Sequence, residues 1–185
     1  MFRRYSCCRS LLLAAVMLLS FGYAHSQCQP HNPNPPSPPE TASVTLNGKP
    51  VTIDYCAPSM RGRKIFGQVV PYDQVWRTGA NSATTLKTQS TLRIGNLVVP
   101  PGTYTLYTVP AQHGWKLIVN KQTGQWGTVY SQDQDLGRVD MMDGVVPGSP
   151  VERFQIAFEN TQGNKSQLHL KWELTDVYVP ITAGD

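Results

Sequence analysis

From residue 42 onward, apolar and polar positions alternate with a period of two, the pattern of strands with one wet face. Val44 and Leu46 alternate with polar neighbours, Asn47-Gly48 follows, and Val51, Ile53 and Tyr55 resume the alternation. Asn-Gly between two such runs predicts a tight hairpin, because both turn residues tolerate positive φ. Further strands are predicted over residues 82–88 and 91–94, and then at Tyr104, Leu106 and Thr108, after a turn ending in Pro100-Pro101-Gly102. Trp115, Leu117 and Val119 follow the turn Gln112-His113-Gly114. Residues 137–142 and the run Phe154, Ile156, Phe158 add two more. Leu168, Leu170, Trp172 and Leu174 alternate with His169, Lys171 and Glu173, and residues 177–181 close the series. No segment has a convincing helical period. About nine short strands with turns at roughly 8–12-residue spacing predict an all-β fold, an antiparallel β-sandwich or partly closed barrel. Each strand is expected to turn an apolar face inward and a polar face to water.

One stretch breaks this pattern. Residues 55–85, YCAPSMRGRKIFGQVVPYDQVWRTGANSATT, are too long and irregular for a hairpin turn. Long loops in compact domains are uncommon and often functional. Arg61, Arg63, Lys64 and Arg77 stand against a single acid, Asp73, for a local charge of +3. Arginine suits bidentate contact with carboxylate or phosphate, and Tyr72 and Trp76 offer ring faces for stacking. The candidate ligand-binding set is therefore Arg63, Lys64, Tyr72, Trp76, Arg77 and Asn81, with Trp126 from a later loop. The alternative is a structural plug. Ile65, Phe66, Val69, Val70 and Val75 are apolar anchors that would fold the loop over one end of the sandwich, with the arginines on backbone carbonyls or strand acids. For Trp126, near Gly124 and Gly127, capping of the core is favoured over lining a groove.

The N-terminus changes the charge balance. Arg3, Arg4 and Arg9 precede the apolar run from Leu11 to Leu19, and Ala24 and Ser26 supply a small-residue cleavage site. Residues 1–26 are predicted to be a secretory signal peptide, with an uncleaved anchor as the alternative. The run is shorter than the roughly 20 apolar residues of a membrane span, and no later segment is apolar enough to cross a membrane. The 185-residue chain carries 16 basic and 12 acidic residues, so losing three arginines leaves a net charge of +1. Nucleic-acid binding has no support from a near-neutral chain. Residues 27–41 hold six prolines and no core-forming pattern, which predicts a disordered or semi-rigid linker before a single domain at residues 42–185. His31 falls in that linker.

Cleavage would also remove Cys7 and Cys8 and leave Cys28 and Cys56. In an oxidising compartment these two permit a disulfide. Two unpaired thiols are the alternative, and lipidation of Cys28 is disfavoured because His25-Ser26-Gln27 lacks a small-residue box.

Other chemistry is sparse. Asp133, Asp135, Asp140 and Asp143 lack the glycine and glutamate positions of a calcium loop, so an exposed acidic turn is expected. His113 and His169 are isolated from any zinc-ligand pattern. Ser59 follows Pro58 outside any nucleophile elbow, and there is no phosphate-cradling or dinucleotide motif. No catalytic residue is assigned and no cofactor or metal is expected.

The loop and its downstream partners resemble a known family. Ile53-Asp54-Tyr55, Pro58-Ser59, residues 62–67 (GRKIFG), Val70-Pro71-Tyr72 and residues 75–81 (VWRTGAN) are similar to the bacterial family called domain of unknown function 2911 (DUF2911). Residues 101–106 (PGTYTL), Gln125-Trp126-Gly127 and residues 135–139 (DLGRV) extend the similarity over about residues 42–180. The resemblance implies an extracytoplasmic β-rich protein and no established activity. Two positions depart from it. Ser82 stands where many members have an acidic residue, so a carboxylate-based role there is doubtful, and Cys56 replaces a residue that is often small and polar. The expectation is an exported (periplasmic or extracellular) protein, a non-catalytic domain at the cell envelope that binds an anionic or carbohydrate ligand or a partner. A hydrolase using the arginine-rich loop to stabilise an anion, and a purely structural envelope protein, are the alternatives.

Overall fold

The computed structural model describes Cys28 and residues 35–184. The expected signal peptide and His31 lie outside the described residues. Twelve strands follow one another: β1 (Pro39–Leu46), β2 (Lys49–Cys56), β3 (Thr84–Thr88), β4 (Leu92–Ile94), β5 (Leu97–Val99), β6 (Gly102–Val109), β7 (Lys116–Asn120), β8 (Asp135–Asp140), β9 (Met142–Asp143), β10 (Val151–Gln162), β11 (Lys165–Glu173) and β12 (Thr175–Ala183). One sheet runs β1-β2-β3-β6-β7-β8 and the other β10-β11-β12-β4-β5, with β9 on β12; every pairing is antiparallel. The sheets face each other as a sandwich and do not close into a barrel. Strands β1 and β10 meet at one side, and β5 and β8 at the other. Among the described residues, no helix is long and apolar enough to cross a membrane.

The period-two pattern explains most of the core. Ile53, Leu86, Leu106 and Leu117 on the first sheet face Phe154, Leu168, Leu170 and Trp172 on the second, all buried. The Asn47-Gly48 hairpin forms as expected, with φ of 50° and 70°, joining β1 to β2 in register. The strand count was low because two- and three-residue strands (β4, β5, β9) carry too few positions for a periodic signal. Residues 137–142 divide between sheets: β8 belongs to the first and β9 to the second, hinged at the buried Met141. Strand β1 begins at Pro39, inside the predicted linker, and the Pro38 carbonyl accepts a hydrogen bond from the Ala57 amide at 2.8 Å.

Two faces differ from expectation. Leu174 does not continue the inward row of β11, because Glu173 adopts φ 53° and turns the chain, leaving Leu174 exposed. Strand β6 is buried on both faces: Thr105 and Tyr107, expected to face water, lie under the segment from Lys121 to Ser131. That segment satisfies them. Thr105 donates to the Gln122 carbonyl at 2.7 Å, Tyr107 donates to the Val129 carbonyl at 2.9 Å, and the Gln125 amide donates to the Tyr107 hydroxyl at 3.2 Å.

Candidate ligand-binding site

The first half of the 55–85 loop is a plug. Its apolar residues Ile65, Phe66 and Val70 are buried in the same core cluster as the strands. The Phe66 ring meets Trp115 at 4.8 Å, Trp172 at 5.9 Å and Trp76 at 6.1 Å, all edge to face, a favourable geometry for ring quadrupoles. Folding the loop inward strips its amides of water, and Glu173 replaces that water: its two carboxylate oxygens accept from the Ile65 amide at 2.8 Å and the Phe66 amide at 3.1 Å. Arg63 donates to the Met60 and Ser59 carbonyls, both at 2.9 Å, and Arg61 donates to the Pro36 carbonyl at 2.8 Å. These two arginines hold backbone carbonyls, as the plug alternative expects.

The second half becomes a wall. Trp76 continues the sheet beside β6 where β3 stops, donating to the Thr108 carbonyl at 2.7 Å and accepting from the Thr108 amide at 2.9 Å. Its indole stacks on Trp172 at 5.9 Å with an 18° tilt. The next residues are wound tightly: Thr78 has φ 53°, Gly79 155° and Asn81 56°. A β-branched threonine in the left-handed region is uncommon and must be held there. Thr78 is fully buried, its hydroxyl on Thr108 at 3.1 Å and its carbonyl accepting from Thr84 at 2.8 Å. The Ala80 amide donates to the Cys56 carbonyl at 3.0 Å, and the Cys28–Cys56 disulfide is buried against Ala80. A sulfur held in a disulfide carries no lipid, so Cys28 bonded in this way is not an anchor.

Gln125-Trp126-Gly127 docks on this wall. The Gly127 amide donates to the Asn81 carbonyl at 2.9 Å, and Trp126 pairs with Ser82 as an isolated bridge. A Cβ at Gly127 would lie 2.5 Å from Arg77 Cδ and 2.6 Å from the Asn81 carbonyl oxygen, so only glycine fits. Gly127→Ala is expected to cost about 1–3 kcal/mol through overpacking. An unchanged urea midpoint would show that the two motifs are not in tight contact.

Between wall and plug lies a cavity of about 460 Å3, lined in part by Arg63, Trp76, Arg77, Asn81, Tyr107 and Tyr130. Among the described residues, neither a carboxylate nor a histidine lines it. Arg77 is half-buried, and its one hydrogen bond among the described residues runs from Nε to the Gly79 carbonyl at 3.3 Å. Its terminal nitrogens have no partner there. Burial pushes the Arg77 guanidinium below its ordinary pKa, the sign of a charge short of water and of counter-charge. The Asn81 side-chain amide is likewise unpartnered among the described residues. The two tyrosines are committed instead. Tyr130 donates to Asp135 at 2.8 Å and accepts from Arg138 at 2.6 Å; burial first, then the Asp135 hydrogen bond and charge, push it up to about 12.

Four of the seven sequence-derived candidates, Arg63, Trp76, Arg77 and Asn81, therefore share one cavity. Lys64 is exposed outside it, and Tyr72 lines a smaller cleft beyond Phe66. Trp126 does not cap the core: the Ser82 bridge holds its backbone at the surface and leaves it 50% exposed. The aspartate-rich segment is not a simple exposed turn, since Asp135 opens β8 and also accepts from the Asn120 amide at 2.9 Å. Sequence reasoning missed Glu173, Tyr107, Tyr130 and Trp172 as neighbours of the loop. Each sits in a regular strand pattern or another loop, and nothing local marks its contact with residues 55–85.

Comparison with curated proteins found no match, and comparison with solved structures found none. The profile of the family described as "Protein of unknown function (DUF2911)" matches residues 37–181, a span that contains the plug, the strained wall and the docked Gln125-Trp126-Gly127 segment, and the chain belongs to that family.

Proposed function

We propose that this is an exported, non-catalytic binding domain of the cell envelope that takes an anionic ligand on Arg77. The observation that carries this is a half-buried guanidinium whose terminal nitrogens have no partner among the described residues, in a cavity that these residues line with two arginines and no acid. Such a group gains most from a carboxylate or phosphate, because a charge-assisted bidentate contact restores the lost hydration. The buried disulfide supports an oxidising compartment, consistent with the leader-like N-terminus. A binding role is favoured over hydrolysis because the two carboxylates nearest in sequence lie elsewhere. Asp54 pairs with Lys87 at 2.8 Å and Thr41, and Asp73 is exposed outside the cavity lining. Among the described residues, no general base then accompanies the arginine.

Thermal-shift screening of small anions against wild type and Arg77→Gln tests this. A ligand that raises the melting temperature of the wild type should bind the variant about 10–100-fold more weakly, the value of hydrogen bonds to a charged group. Its affinity should also fall with added salt. A folded protein that binds no anion, or a variant that binds as well as wild type, rejects the proposal.

A further inference from the structure

The surroundings of Arg77 narrow the ligand class. Nine large hydrophobic residues are exposed among the described residues; two of them line this cavity and two more are chain neighbours of residues that line it. Val69 and Val75 line it, at 45% and 38% exposure, and Trp126 and Val129, at 50% and 53%, flank the wall residues Gly127 and Thr128. The stacked Trp76 and Trp172 also contribute to the lining. Several of the polar groups inside are already committed. The Tyr107 and Tyr130 hydroxyls each donate to and accept from protein groups, and Arg63 spends Nε and one terminal nitrogen on carbonyls. Among the described residues, the unused functions are the Arg77 terminal nitrogens and the Asn81 amide, with the smaller polar side chains of Ser37, Gln74 and Thr128 beside them. A multiply charged anion would find one free cationic fork. The volume of about 460 Å3 suits a small molecule rather than a folded partner.

Building on the anion-binding role of Arg77, we propose that the ligand is an amphiphilic monocarboxylate. Its single carboxylate sits on the Arg77 terminal nitrogens beside Asn81, and its apolar ring or chain lies along Trp76 and out across Val69, Val75 and Trp126. The apolar rim then loses water on binding, which explains why a charged cavity keeps an apolar mouth.

The test measures tryptophan fluorescence and calorimetric affinity for five probes: 2-naphthoate, decanoate, acetate, glucuronate and 2-naphthamide. The first two separate a flat from a chain-like body; either binding at least about tenfold tighter than acetate and glucuronate supports the proposal. The amide lacks the charge and should bind about tenfold or more weakly than 2-naphthoate, and Arg77→Gln should lose that same margin. Trp126→Ala should weaken 2-naphthoate about threefold to tenfold, with a smaller effect on acetate. Acetate or glucuronate matching both amphiphiles overturns the amphiphilic ligand while the anion site stands. The amide matching 2-naphthoate, Arg77→Gln retaining full 2-naphthoate affinity, or no binding by any probe overturns both.

Discussion

Phe66→Ala is expected to lower the stability of the domain by about 3–5 kcal/mol, the cost of removing a buried aromatic ring together with the cavity it leaves. Phe66 sits in a loop, where most substitutions cost little, so the size of the effect tests whether the loop is built into the core. The ring touches Trp76, Trp115 and Trp172, which come from the loop, the start of the β7 hairpin arm and β11 respectively. None of the three can move in to fill the gap without breaking its own contacts: Trp172 also donates to the Glu152 carbonyl at 3.2 Å, Trp76 is held by two backbone hydrogen bonds to Thr108, and the Trp115 carbonyl accepts from the Met141 amide at 2.8 Å. For a domain of this length the melting temperature should fall by roughly 10 °C or more. Val69→Ala, in the same loop but exposed, should stay within about 0.5 kcal/mol. Equal effects at the two positions would mean that the loop lies on the sandwich and not within it.

Removing the Cys28–Cys56 disulfide should cost about 3.5 kcal/mol. The bridge closes a sequence separation of 28 residues, between the 15- and 100-residue loops for which the chain-entropy treatment gives about 3 and 4.7 kcal/mol. The same bond lies under Ala80, whose amide donates to the Cys56 carbonyl. Reduction should therefore loosen the segment from Thr78 to Asn81 and weaken ligand binding at Arg77 as well as stability. Chemical denaturation of wild type with and without reductant, alongside a Cys28→Ala/Cys56→Ala variant, measures both effects. Midpoints that do not respond to reductant, while thiol titration shows two free cysteines, would remove the disulfide from the account of stability. A stability loss without any change in affinity would leave the bridge as a staple with no link to the cavity.

Much of the fold is legible because side-chain alternation is a local signal. Val51, Ile53 and Tyr55 announce a strand whatever it pairs with, and Asn47-Gly48 announces its turn. The loop at 55–85 is visible for the same reason, as the place where alternation stops and cations gather. Its two roles are not separable by eye. Arg61, Arg63 and Arg77 look alike in sequence, yet the first two hold carbonyls of Pro36, Ser59 and Met60, while the Arg77 terminal nitrogens have no partner among the described residues. What distinguishes them is the position of acceptors supplied by the folded backbone. Trp126 was misplaced for a related reason: a tryptophan between glycines fits a core cap or a surface rim equally well until the Ser82 bridge fixes which side faces water.

The sequence by itself determined the strand class, the hairpin, the cationic interruption and the family, because each is carried by residue type at short spacing. Only the tertiary structure decided which arginines hold backbone carbonyls through their terminal nitrogens, that Glu173 caps the Ile65 and Phe66 amides across more than a hundred residues, and that Gly127 must be glycine to lie against Arg77 and Asn81. The physical reason is common to all three. Satisfying a buried polar group or filling a void depends on atoms brought together by long-range sheet pairing, and no local pattern encodes that distance.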